Sequence, residues 1–162
     1  MATAHGLQPE QQQTASNQSA SSATGKQQQA NSVEQNQALI RLLVQELWNK
    51  HDLTTVDKYY SANYTEHAKQ HGAGRDGVKE YWSAIFRGFP DWHVTVDLTS
   101  VGDKVPAIFN RNGTQTGEYV GNPPNGDKVT AQTIEPFRVI NGYVPEHWDV
   151  QGDLAFLIAP AE

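Results

Sequence analysis

Phe137-Arg138-Val139-Ile140-Asn141-Gly142-Tyr143-Val144-Pro145-Glu146-His147-Trp148-Asp149 is the stretch whose reading decides the fold. Two strand-like runs flank Asn141-Gly142, and both central positions of a type I′ turn need φ > 0, which Asn and Gly tolerate best. The stretch therefore reads as a hairpin joining a strand over 128–140 to a last strand over 143–150. In that last strand His147 and Asp149 share one face, and Glu146 and Trp148 share the other. Pairing brings the cluster beside Gln132, Glu135 and Arg138. Gln132 and Arg138 have one parity and Glu135 the other, so all three point inward only if Pro136 marks a bulge.

Upstream the period changes twice. Trp92, Val94, Val96 and Leu98 alternate with polar residues, the two-residue repeat of a strand with one buried face. Gly102-Asp103 marks a turn, and 105–110 and 114–120 read as two further strands, with Pro106 at an edge or bulge. Residues 121–127 hold two prolines, two glycines and two asparagines and read as a loop. Before Pro90 the repeat is helical. Leu39, Leu43 and Leu47 recur every fourth residue after a Ser32–Gln35 capping box, predicting a helix over about 33–50. Asp52 caps a short second helix near 53–60, and a third runs over about 76–87 with Val78, Trp82, Ile85 and Phe86 on one side. Helices followed by an antiparallel meander imply a segregated α+β domain, with a cavity between sheet and helices suited to a small apolar ligand.

Composition narrows the function. Residues 1–32 are rich in Gln and Ser, hold no aromatic residue, and read as a disordered tail preceding one domain over 33–162. The tail carries Glu10 and Lys26, so the net charge of −6 lies on the domain. An acidic domain without a basic run disfavours nucleic acid. No apolar run approaches the ~20 residues of a membrane span. The absence of cysteine removes disulfides, thiolate metal sites and a cysteine nucleophile, and fits a reducing, cytoplasmic setting.

No phosphate loop, dinucleotide fingerprint or nucleophile elbow is present. The densest cluster with chemical potential is Glu146 to Asp149, with Asp153 following. A carboxylate desolvated among aromatic rings has a raised pKa and can move protons at neutral pH, while a nearby imidazole orients it. A salt-bridged strand end with Trp148 in the core accounts for the same residues. His67, in Asn63-Tyr64-Thr65-Glu66-His67, reads either as a donor at the cavity mouth or as an exposed loop histidine. His67, His71, His93 and His147 could supply imidazoles to a metal, but Gly72 and Gly74 place His67 and His71 in a loop, so no metal site is expected.

An ordered series of segments then carries a resemblance. Leu47-Trp48-Asn49 with His51-Asp52-Leu53, Tyr64 to His67, Gly77-Val78 and Phe89-Pro90-Asp91 come first. Gly102 to Val105, Gly113-Thr114 with Thr116-Gly117-Glu118, Gly121 to Gly126, Phe137 to Gly142 and Glu146 to Asp149 follow. Over residues 36–157 the chain resembles the SnoaL-like polyketide cyclases of the nuclear transport factor 2-like superfamily. The resemblance implies a cone-shaped, curved antiparallel sheet packed on three N-terminal helices, and a homodimer formed through the sheet. It implies a pocket for a small hydrophobic substrate and an intramolecular aldol closure by a pocket aspartate, without metal or cofactor.

Mapped onto this chain, that role falls to Asp149 or Asp153, with His147 and His67 as catalytic company. Tyr64, Trp82, Gln115, Gln132, Glu135 and Trp148 would bind substrate. The chain departs from the family pattern at Gly152, where an aspartate is common, and at Gln115, where a histidine is usual. Phe156 to Pro160 replaces the common terminal Gln-Leu-Gly. The expected activity is that of a cofactor-independent cyclase or isomerase acting on an enolisable molecule. A non-catalytic binding protein, or an epoxide or ester hydrolase using the same carboxylates, are the alternatives.

Overall fold

A computed structural model describes residues 32–68 and 71–149. The expected tail, apart from Ser32, and Asp153 lie outside the described residues. The chain opens with helix α1 over 32–49, whose last turns, Val44–Asn49, are a π-helix. Its Leu39, Ile40, Leu43 and Leu47 are buried, each contributing roughly 1.5–3 kcal/mol of transfer free energy. The π-turn, a local widening frequent at functional sites, places Trp48 in the same interior. Asn49 ties α1 to the sheet: its side chain accepts the Val94 N–H and donates to the Val94 carbonyl.

Helix α2, Thr54–Tyr59, begins where the Asp52 carboxylate accepts the Thr54 N–H and hydroxyl, as its sequence suggests. Strand β1, Tyr60–Glu66, follows directly. Helix α3, Gly74–Gly88, buries Val78, Trp82 and Ile85. Then come β2 (His93–Leu98), β3 (Lys104–Thr114), β4 (Lys128–Ile140) and β5 (Tyr143–His147). The sheet order is β1-β5-β4-β3-β2, antiparallel except for the parallel β1–β5 pair.

The α+β class stands, with two corrections to the expected antiparallel sheet. First, β1 makes the sheet mixed. Its sequence, Tyr-Ser-Ala-Asn-Tyr-Thr-Glu, has no aliphatic alternation, and the partner that stabilises it is β5, far along the chain. Second, β3 is one strand through Pro106, and 115–127 is loop. Pro106 lies opposite Pro136, and the two carbonyls point apart, to the Thr99 and Trp148 N–H groups. The missing N–H groups therefore interrupt no β3–β4 bond.

The hairpin is as expected: Asn141 and Gly142 have φ of 51° and 78°. The bulge is elsewhere. Ile140 pairs with Tyr143 but Arg138 with Glu146, so β5 carries one residue more than β4 around Val144 and Pro145. That extra residue turns both Val144 and His147 to the buried face.

Candidate active site

Every second residue of β3 and β4 faces the helices, and the inward set changes character along the strands. Val105, Ala107, Phe109, Phe137 and Val139 are apolar core, whereas Arg111, Thr133 and Glu135 are polar and equally buried. The bulge adds His147 from β5, and β1 adds Tyr64 and Glu66. These groups meet in one chain of contacts beside Trp48, Trp82 and His71.

His147 is its centre, with a 5% exposed side chain. Its Nδ1 lies 3.0 Å from Glu66 and its Nε2 3.2 Å from Glu135. Glu135 is held in turn by the Thr133 hydroxyl at 2.8 Å and by an ion pair with Arg111. The Arg111 guanidinium also donates to Thr133 and lies 4.9 Å from the Phe109 ring centroid. On the other side, the Tyr64 hydroxyl donates to Glu66 Oε2 at 2.6 Å, and His71 Nδ1 lies 3.0 Å from the same oxygen.

The electrostatics follow from burial opposed by pairing. Burial alone would raise the Glu135 carboxyl, but the Arg111 charge and the His147 contact bring it down to about 2. Burial likewise opposes ionisation of Glu66, and contacts from His147, His71 and Tyr64 overcome it, holding the group well below the usual carboxylate range. For His147 burial favours the neutral ring, yet two flanking carboxylates raise it to about 9. At neutral pH the interior thus holds two carboxylates, an imidazolium and a guanidinium, balanced in charge. Burial pushes the Tyr60 and Tyr64 phenols up, so both stay neutral donors.

Tyr60, Tyr64, Glu66, His71, Trp82, Glu135 and His147 line a cavity with about 10 Å³ of free space, on the order of one water centre. Trp48 lines it too, and its Nε1–H is buried without an acceptor.

The structure gathers some of the sequence candidates here and disperses others. Tyr64, Trp82, Glu135 and His147 line the cavity. His67 does not: its ring stacks on Trp148 at 4.6 Å on the outer side, with Nε2 3.6 Å from Glu146. The same stack takes Trp148 away from the cavity. Asp149 is half-buried and off the cavity wall, because β5 ends at His147 and the alternation does not continue to it. Gln132 is exposed and donates to Asn110 on the outer face, since strict alternation gives the interior to Thr133 and Glu135. Gln115 is fully buried but donates to the Asn122 and Pro123 carbonyls, so it fastens the 119–127 loop. Glu66, His71, Arg111 and Thr133 received no role from the sequence. The available signal was that Tyr64 and Glu66 share a parity with the buried Tyr60, once 60–66 is read as a strand.

Helices packed on one face of a five-stranded mixed sheet give the chain a nuclear transport factor 2-like α+β fold. The chain belongs to the SnoaL-like polyketide cyclase family, whose model matches residues 38–158. Solved structures agree. AclR of Streptomyces galilaeus, a candidate hydroxylase, is 27% identical with a TM-score of 0.67, covering 74% of this chain and 90% of its own. A SnoaL-like polyketide cyclase candidate from Jannaschia sp. is 25% identical with a TM-score of 0.69, covering 80% and 96%. IdmH of Streptomyces antibioticus, a polyketide cyclase candidate, is 27% identical with a TM-score of 0.62, covering 71% and 90%. No curated protein matches in sequence at a significant level. Among the described residues no helix is long and apolar enough to cross a membrane.

Proposed function

We propose that the chain is an acid–base enzyme of the cyclase type, acting on a small, largely hydrophobic, enolisable carbonyl compound. The observation that carries this reading is His147, clasped between Glu66 and Glu135 at the wall of an aromatic cavity. Family membership and the polyketide cyclase neighbours support the reaction class.

In this reading Glu66 takes the proton α to the substrate carbonyl. Three donors weaken it as a base in the resting state. A substrate that displaces one of them restores its basicity, because a desolvated carboxylate binds protons more tightly. The His147 imidazolium returns the proton, and Glu135, anchored by Arg111, holds the ring in place. The Trp48 indole N–H, which has no acceptor of its own, meets the oxygen on which charge develops. The general-base role expected of Asp149 thereby passes to a carboxylate that lines the cavity. Ring-bearing ligands need roughly 300 Å³ or more, so binding requires side chains such as His71 and Trp82 to swing outward. The homodimer through the sheet belongs to the same proposal.

Deuterium uptake from heavy water into a panel of aromatic β-dicarbonyl compounds, followed by mass spectrometry, tests the reading. Wild type should catalyse exchange at the acidic carbon, and Glu66→Gln should lose it. A folded Glu66→Gln variant exchanging at the wild-type rate would refute the assignment.

A further inference from the structure

We propose that Glu66, His71 and His147 also form a binding site for a divalent transition-metal ion of the zinc or cobalt type, with Glu135 as the outer carboxylate that orients His147. One ligand atom from each of the three side chains lies within 4.8 Å of the other two. Both Nδ1 atoms lie 3.0 Å from Glu66 Oε2, the spacing of neighbouring ligands set about 2.1 Å from an octahedral ion. Two imidazoles and a single carboxylate favour zinc, cobalt or iron over the all-oxygen shells of magnesium and calcium.

The surroundings fit a metal site as well as the ligands do. All three side chains are at most 6% exposed, so the donors are held in place before any ion arrives. Metal-bound histidines characteristically give the second ring nitrogen to a carboxylate. Here His147 Nε2 lies 3.2 Å from Glu135, itself fixed by Thr133 and Arg111. The Tyr64 hydroxyl fixes the Glu66 oxygen in the same manner. The adjoining 10 Å³ of free space admits a water as a further ligand. Loop placement hides the site from the sequence, because the third ligand comes from β1 rather than from a helical His pair.

This inference goes beyond the acid–base reading and draws on two of the same side chains: on His147 Nδ1 an ion takes the place of a proton, so the metal-loaded and the proton-carrying site are alternative states of one cluster. The test is titration of the full-length, chelator-stripped chain with Co²⁺, followed by visible absorption, and with Zn²⁺, followed by calorimetry. Wild type should bind a single ion per chain and show cobalt d–d bands. His71→Ala and Glu66→Gln should lose both signals while keeping the wild-type far-ultraviolet circular dichroism. His93→Ala, on the exposed face of β2, should retain them. Should Glu66→Gln not fold, His71→Ala and His71→Gln decide alone. Glu135→Gln should bind about 10–100-fold more weakly. Absence of cobalt bands and zinc heat in folded wild type, or binding unchanged in the His71 variants, would overturn the site. Neither readout involves turnover, so that result would leave the deuterium-exchange reading untouched.

Discussion

The sheet carries an arginine–carboxylate system on each face, and the two differ in nearly everything but residue type. Inside, Arg111 pairs with Glu135 at 8% and 3% side-chain exposure, and Glu135 leads on to His147 and Glu66. Outside, Arg138 bridges Asp103 at 2.7 Å and Glu146 at 3.1 Å, with exposures of 29–41%. Water screens the outer set and can replace any partner that is removed. The inner set has only itself, so each member is obligatory to the next. The difference teaches where to look for chemistry: among groups whose protonation depends on one another rather than on solvent.

The largest effect should come from cutting the inner chain at the proposed base. Glu66→Gln keeps size but exchanges one accepting oxygen for a donating amide and removes proton affinity, and should slow the deuterium exchange by about 10²–10⁴-fold. Glu146→Gln, the matching change outside, should leave the rate within a factor of about two, since Glu146 pairs with His67 and Arg138 on the solvent side. Equal losses in both variants would erase the distinction between the faces.

Stability should separate the faces next. Glu135→Ala strands Arg111 as a buried cation, leaves His147 with Glu66 as its remaining carboxylate, and should cost about 3–5 kcal/mol in urea unfolding. Arg138→Ala removes two exposed contacts and should cost about 0–1 kcal/mol. Comparable midpoint shifts would mean that the inner network is as well solvated as the outer one.

The fold was largely legible because its signals are local. The α1 leucine stripe, the β2 alternation, the glycine stop at Gly88 and the Asn141-Gly142 turn each lie within a few residues and each took the expected form. What failed was non-local. Strand β1 has two tyrosines four apart, a spacing that suits a helix as well, and it becomes a strand only by pairing with β5. The site suffered the same way: Glu66 and His147 are 81 residues apart in the chain. Glu135 and His147 are conspicuous in the sequence as ionisable residues on the two strands of the Asn141-Gly142 hairpin, and the structure places both at the cavity wall. The family resemblance puts an aspartate near the end of the last strand and so points to Asp149, whereas β5 ends at His147 and Asp149 lies past it.

A third and smaller effect concerns how the loop outside the network is fastened to α3. A Cβ on Gly117 would lie 2.0 Å from the Arg87 carbonyl oxygen, backbone against backbone. The Gly117 N–H also donates to the Gly88 carbonyl at 2.9 Å. Gly117→Ala must push the loop off the helix end and should cost roughly 1–3 kcal/mol. Gly121→Ala, with φ of +78° but no atom within 4 Å of its Cβ, should cost only about 1 kcal/mol of backbone strain. Equal denaturation midpoints for the two variants would contradict the close approach.

The smallest effect lies at an exposed carboxylate and sharpens the contrast with the interior. Asp91 accepts the Thr114 N–H at 2.6 Å and its hydroxyl at 2.7 Å, and these bonds hold its carboxyl below the ordinary value of 3.8. A carboxyl depressed in the folded chain binds protons less readily there than in the unfolded chain. Its stabilisation is therefore complete above the unfolded value and fades as pH falls through the folded one. Thermal unfolding of wild type and Asp91→Asn should differ slightly at pH near 7 and converge as the solution is acidified below about 3.8. Because solvent reaches this site, neighbouring groups should titrate as before. A shift in the His147 ring resonance caused by Asp91→Asn would show the two faces to be coupled after all.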